Sequence, residues 1–178
     1  MAVAQQSKRD VESVLQRLNE DYSEFRVVEK TWERTDSDYE RVRRQFERNG
    51  LGGAGVWLVN DAGEVLLVRD EGDDGWSDPG GKREPGESYE SAAKRELEEE
   101  TGVTCQLTGL CEVHRIENVN VQRDAPSIFE PLVIFDGVYE SGELDARDGE
   151  IAEVGWFVQP PEHVLYPEVA KRSYPATS

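Results

Sequence analysis

The stretch from Trp76 to Val103 constrains this chain more than any other. It runs Trp-Ser-Asp-Pro-Gly-Gly-Lys, then a short polar loop, then a helical segment over residues 87–101, with Gly102 just past its end. Gly80 and Gly81 allow a tight backbone turn and close approach, and a glycine after the last helical residue suits a left-handed exit. The helix itself is chemically unusual. Arg95-Glu96-Leu97-Glu98-Glu99-Glu100 places four carboxylates in five residues. Glu96, Glu99 and Glu100 stand at i, i+3 and i+4 and so share one face. Unpaired, such neighbours repel by a few tenths of a kcal/mol per pair. Two readings fit: a solvated acidic face, or a site for a hard divalent cation, which takes oxygen ligands.

The flanks predict the elements around this helix. Val56-Trp57-Leu58-Val59 and Val65-Leu66-Leu67-Val68, joined by Asn60-Asp61-Ala62-Gly63, predict two strands in a hairpin. Residues 103–113, 132–139 and 151–158 are short, β-branched or aromatic stretches and predict three more strands. Pro160-Pro161 breaks the chain, and a short helix or turn over residues 164–171 ends it. Strands around a central helix predict an α/β fold with helices sandwiching a mixed sheet. Residues 1–50 read as a mostly helical N-terminal extension, residues 51–178 as the main domain. Val11, Val14, Leu15 and Leu18 make one apolar helical face, and Tyr39, Val42 and Phe46 another. Ser7 with Asp10 offers a weak capping signal, and residues 24–34 fit a strand. The two apolar faces suit packing on the domain or a homodimer contact.

Charge narrows the partners. The net charge is −18, from 38 acidic residues against fifteen arginines and five lysines. Such a surface repels nucleic acid and anionic lipid at long range. Its acid-rich, lysine-poor balance has two readings, a protein from a salt-loving cell or simply an acidic mesophilic protein. Cys105 and Cys111, in one predicted strand, are too far apart for a disulfide and read as small core residues. With no apolar leader and no run of 18 apolar residues, the expectation is a cytoplasmic protein outside the membrane.

The whole pattern is Gly81, five residues, Glu87, seven residues, Arg95-Glu96-Leu97, one residue, Glu99-Glu100, one residue, Gly102-Val103. At every specified position it resembles the signature of the Nudix hydrolases. The resemblance in strand order extends from about Gly53 to Val158, and residues 1–50 fall outside it. It implies a Nudix-type α/β/α sandwich with a mixed β-sheet. It also implies a hydrolase that uses Mg²⁺, or Mn²⁺, to direct water onto phosphorus in a P–O–P linkage of a small nucleotide. Glu99 and Glu100 become metal ligands with the Gly80 carbonyl, and Glu96 a further ligand or the base. Glu150 resembles an additional ligand or base supplied from a distant loop, with Asp148 and Glu153 as competitors. Arg95, a rigid fork of donors, is the orienter of the glutamates. Glu98 falls at the variable position, and Leu97 at a packing position.

Of the remaining polar and aromatic residues, Lys82 and Arg69 are candidates for phosphate contact, and Trp76 and Phe129 for stacking on base or sugar. His114 and His163 have no metal-ligand spacing. ADP-ribose-like compounds and nucleoside triphosphates are the leading substrate classes. A Nudix-like sensor that binds a nucleotide-sugar without cleaving it is the alternative. Such sensors commonly lose motif glutamates, and here all are present.

Overall fold

The computed structural model describes residues 2–177. The chain runs α1 (Ala2–Asp21), β1 (Arg26–Arg34), α2 (Asp36–Glu47), β2 (Gly53–Val59), β3 (Val65–Asp70), β4 (Trp76–Ser77) and β5 (Gly80–Lys82). It continues through α3 (Tyr89–Thr101), β6 (Thr104–Asn120), β7 (Ile128–Ser141), β8 (Ile151–Phe157) and α4 (Pro167–Lys171) to a 3-10 turn at Pro175–Thr177. The strands form one mixed sheet in the order β1-β6-β7-β2-β3-β4, with β5 paired to β2 and β8 to β3. The β1/β6 and β2/β7 pairs are parallel; β6/β7, β3/β8 and β2/β5 are antiparallel. The expected hairpin of β2 and β3 is splayed: the two strands share only the Val59–Val65 pair. Beyond it β2 runs with β5 and β7 and β3 runs with β8, and each strand satisfies its backbone elsewhere.

Side-chain alternation gives the sheet two apolar faces. On one, Ala54, Val56, Leu58, Val113, Val133 and Phe135 pack under α1 and α3. On the other, α2 sets Tyr39 and Val42 against Leu51 and Ile128, and the C-terminal segment sets Val169 and Tyr174 against Trp57 and Ile134. The sheet thus lies between helical layers. The apolar faces of residues 1–50 are buried within this chain. Val11, Leu15 and Leu18 lie in the main core, and β1 is an edge strand of the sheet itself.

Several local expectations shift. The first helix starts at Ala2, so Ser7 is internal rather than a cap; its buried hydroxyl accepts the Phe129 N–H at 3.0 Å. α3 begins at Tyr89, two residues later than expected, because Ser88 is the cap, its Oγ accepting the Ser91 N–H at 3.1 Å. Glu87 lies just before the helix, and Gly102 closes it in the left-handed region at φ 80°. β6 is longer than the apolar stretch suggested, carrying Glu112, His114, Asn118 and Asn120 as buried polar residues. Cys105 and Cys111 are free thiols, both packed with apolar clusters.

Candidate active site

Between α2 and the α4 region the second face of the sheet is uncovered, and there a cavity of about 580 Å³ opens. Its floor follows from the strand period of two. In the β6/β7 register His114 stands opposite Leu132 and Ile116 opposite Glu130, while Glu112 pairs with Ile134. In the β2/β7 register Gly53 is opposite Leu132 and Gly55 opposite Ile134. Except for Glu112, which lies beneath the lining, all of these residues border the cavity.

One end of the cavity is acidic. Glu100 and Glu150 border it with Asp70, Gly80, Gly81 and Lys82. β5 lies so close to α3 that a Cβ on Gly81 would sit 2.5 Å from the Glu96 carboxyl carbon and displace that carboxylate, and a Cβ on Gly80 would sit 2.6 Å from the Ala54 carbonyl oxygen. The Gly80 N–H donates to Glu100 Oε1 at 2.7 Å. Glu100 is 4% exposed. Burial pushes its carboxyl up to about 8, with Glu96, Glu150 and Asp70 adding to the rise against the Gly80 hydrogen bond. Burial raises Glu96 as well, and Arg95 opposes that rise. Partial desolvation, then Asp73 and Glu150, raise Asp70.

Arg95 organises the outer side of this end. Its Nε and Nη2 donate to the two oxygens of Glu87 at 2.8 and 2.9 Å, and Nη2 also donates to the Lys82 carbonyl at 3.0 Å. Nη1 donates to Glu96 at 2.9 Å and to Glu99 at 3.2 Å. The bidentate pair holds the Glu87 carboxyl below its ordinary range. Glu99 is the outermost of the three glutamates; it is exposed, outside the cavity lining, and also accepts from Arg147 at 3.3 Å. Arg147 bridges to Glu150 at 3.2 Å. Among the described residues no three acidic or histidine side chains are already drawn in around a common point.

The other residues singled out from sequence separate. Lys82 borders the cavity. Arg69 does not: its guanidinium is occupied by the Asp73 carbonyl at 2.8 Å and Glu153 at 2.6 Å. Trp76 packs edge-on against Phe157 at 4.7 Å, outside the cavity. Phe129 lines a separate small cleft beside α1, with the Lys8 ammonium 5.7 Å from its ring. Leu97 is fully buried, and Glu98 is exposed.

Sequence reading missed two features of the cavity. Lys30, Trp32, Arg34 and Arg41 border it from the N-terminal extension, outside the expected main domain; the i, i+2, i+4 spacing of the first three in a predicted strand was the available signal. The second is a buried charge cluster behind the floor. Arg172 Nη1 donates to Asp78 at 2.7 Å and Nε to Glu112 at 2.6 Å, while His114 Nε2 lies 2.6 Å from Glu112. The Tyr166 hydroxyl donates to Asp78. Burial alone would raise Glu112, but the hydrogen bonds from His114 and Arg172 prevail and hold it at about 2. No local pattern marks this cluster, whose members are up to 94 residues apart.

A family model described as the NUDIX domain matches residues 51–177. A putative 8-oxo-dGTP diphosphatase of Bacillus subtilis is 33% identical over 104 residues, 58% of this chain and 64% of that protein. An RNA pyrophosphohydrolase of Pseudomonas putida is 47% identical over 49 residues, 28% of this chain and 31% of that protein. The chain thus spans less than two thirds of the length of these curated relatives. A MutT NUDIX hydrolase structure from Burkholderia pseudomallei superposes with a TM-score of 0.53 at 24% identity, covering 67% of this chain and 94% of that one. A UDP-X diphosphatase structure does so at 0.51 and 23% identity, covering 88% and 71%. At that identity the two structures share the fold with this chain.

Proposed function

From its membership of the Nudix hydrolase family, to which this chain belongs, we propose that it hydrolyses a P–O–P linkage in a small nucleoside diphosphate derivative. The substrate is an ADP-ribose-like compound or a nucleoside triphosphate. The observation that carries this reading is that Glu100, Glu150 and Asp70 border one cavity, near enough for Glu150 and Asp70 to raise the Glu100 carboxyl, with Glu96 held by Arg95 alongside. A net charge of −18 disfavours RNA as substrate.

The acidic end fits a hard divalent cation, Mg²⁺ or Mn²⁺. Its donors are all oxygens, and Glu100, the most buried of them, has no basic partner among the described residues, as its raised carboxyl expresses. Glu96, Glu99 and Glu100 would hold the cation with the Gly80 carbonyl and Glu150. Bound there, a cation supplies neutralisation of phosphate oxygens and acidification of water. The chain's own residues do the remainder. Arg95 sets the rotamers of Glu96 and Glu99 through charge-assisted bonds. One of Glu96, Glu100 and Glu150 accepts the proton of the attacking water. Lys82 meets a phosphate oxygen at the cavity rim. Turnover then depends on the Glu100 carboxylate, which the protein leaves without a basic partner until the cation arrives.

The test is a panel of ADP-ribose, nucleotide-sugars and nucleoside triphosphates with Mg²⁺ or Mn²⁺, in low and in multimolar KCl, with products identified as nucleoside monophosphate plus sugar phosphate or pyrophosphate. Metal-dependent turnover of one class is expected. Binding without turnover across the panel would establish the sensor reading instead.

A further inference from the structure

Residues before 51 lie outside the matched family span, yet they build one wall of the cavity. β1 joins the sheet parallel to β6, with Lys30 opposite Ile116 and Trp32 opposite Asn118. Alternation along β1 therefore turns Lys30, Trp32 and Arg34 to the face that carries Ile116 and Glu130, and all five border the cavity. α2 adds Asp38, Arg41 and Gln45 to the same wall.

Trp32 has no structural explanation as a core residue. It stands on an edge strand, is 37% exposed, and belongs to none of the three apolar clusters. It is nevertheless held in place. The Arg34 guanidinium lies 4.9 Å from its ring centroid. Arg34 Nε donates to Asn118 Oδ1 at 2.7 Å, and Asn118 Nδ2 donates to Glu130 Oε2 at 2.7 Å and to the Ile128 carbonyl at 3.1 Å. Asn118 is fully buried, so this chain of contacts from the sheet edge to the cavity floor is set by the fold. It leaves Glu130 Oε1 as an acceptor beside an aromatic platform that Arg34 covers on one face. A flat π-system with polar groups on its edge matches that combination. In a cavity whose acidic end would take phosphate through a cation, such a ligand is a nucleobase.

We propose that Trp32, Arg34 and Glu130 form the nucleoside subsite of this cavity, with Arg34 bracing one face of the Trp32 indole, the base stacked on the other face, and Glu130 accepting from the base's polar edge. The proposal rests on the nucleotide-hydrolase reading for its substrate class, and it assigns specificity to a segment outside the matched domain.

The test separates the two. Adenosine, guanosine, cytidine and uridine, which need no cation, are titrated into the full chain in EDTA. The indole N–H signals are followed by ¹H–¹⁵N NMR, and the Trp32 signal is identified by its absence from Trp32→Phe. Expected is a saturable shift of the Trp32 signal with at least one nucleoside, the other three indoles moving less. With any substrate the panel identifies, Trp32→Ala should raise KM roughly 5- to 150-fold, the range for losing one base–aromatic stack, with kcat within about twofold and Trp32→Phe largely restoring KM. A Trp32 signal unmoved by all four nucleosides overturns the subsite, as does an unchanged KM in Trp32→Ala. Nucleoside binding at Trp32 by a protein that cleaves no P–O–P linkage would sustain the subsite and sink the hydrolase reading.

Discussion

Glu100 and Glu112 are the same residue type, buried to nearly the same degree at 4% and 1% exposure, the first bordering the cavity and the second lying beneath its floor. Their carboxyls move in opposite directions, one up to about 8 and the other down to about 2. Burial is the largest cause for both and raises both. Company makes the difference. Glu112 has Arg172 on one oxygen and His114 on the other. Glu100 has a single backbone N–H from Gly80 and three carboxylates nearby. The fold therefore neutralises a buried glutamate where it needs one as structure. Where it leaves one uncompensated, the local charge is available to a proton or a cation.

The largest expected effect tests the compensated cluster. Arg172→Met leaves Asp78 and Glu112 buried without their cation and should cost about 3–5 kcal/mol of stability in denaturant titration; an unchanged midpoint would mean that the cluster is not what holds the C-terminal segment. At Glu100 the effect should fall on turnover. Glu100→Gln should lower kcat on the order of 10³-fold, several kcal/mol of lost charge stabilisation, while the metal-free protein keeps or gains stability. Full activity in Glu100→Gln would show the acidic end to be misassigned.

Titration sharpens the contrast with smaller effects. The folded Glu112 value lies below its ordinary 4.5, so its stabilisation is present above that value and is lost as pH falls towards about 2. For Glu100 the sign reverses. Its folded value lies above 4.5, so in EDTA the contribution is fully present below that pH and is lost as pH rises through about 8. Melting curves between pH 2 and 9, each limb on the order of 1–3 kcal/mol, should flatten on the acid side in Glu112→Gln and on the neutral side in Glu100→Gln. The smallest effect belongs to Glu98, exposed on the same helix. Glu98→Ala should change stability by no more than about 0.5 kcal/mol and leave turnover as it was; a large loss there would extend the functional face beyond Glu96, Glu99 and Glu100.

Helix α3, its left-handed exit at Gly102 and the shared face of its glutamates are legible in the sequence, because each depends on residues within one or two turns. The strands β2, β3, β7 and β8 are legible for the same reason: apolar runs between turn residues are local signals. β6 is only half legible. Past Val113 its buried positions carry His114, Asn118 and Asn120, which a hydropathy pattern reads as surface. Asn118 is satisfied by β7 and Arg34, and His114 completes the cluster on Glu112 with Arg172.

The sequence by itself determined the chemistry of one helix face, the glycine turn that fits beneath it, and the family to which the chain belongs. Only the tertiary structure decided which carboxylates border the cavity: it added Asp70 to Glu100 and Glu150 and left Glu96 and Glu99 outside the lining. It also decided that Trp32 and Arg34 belong to the same cavity and that Trp76, Phe129 and Arg69 do not. The physical reason is distance along the chain. Spacing within a helix turns residues onto one face through bonds four residues long, whereas a cavity is assembled from strand registers and buried ion pairs whose partners are set only when the sheet closes.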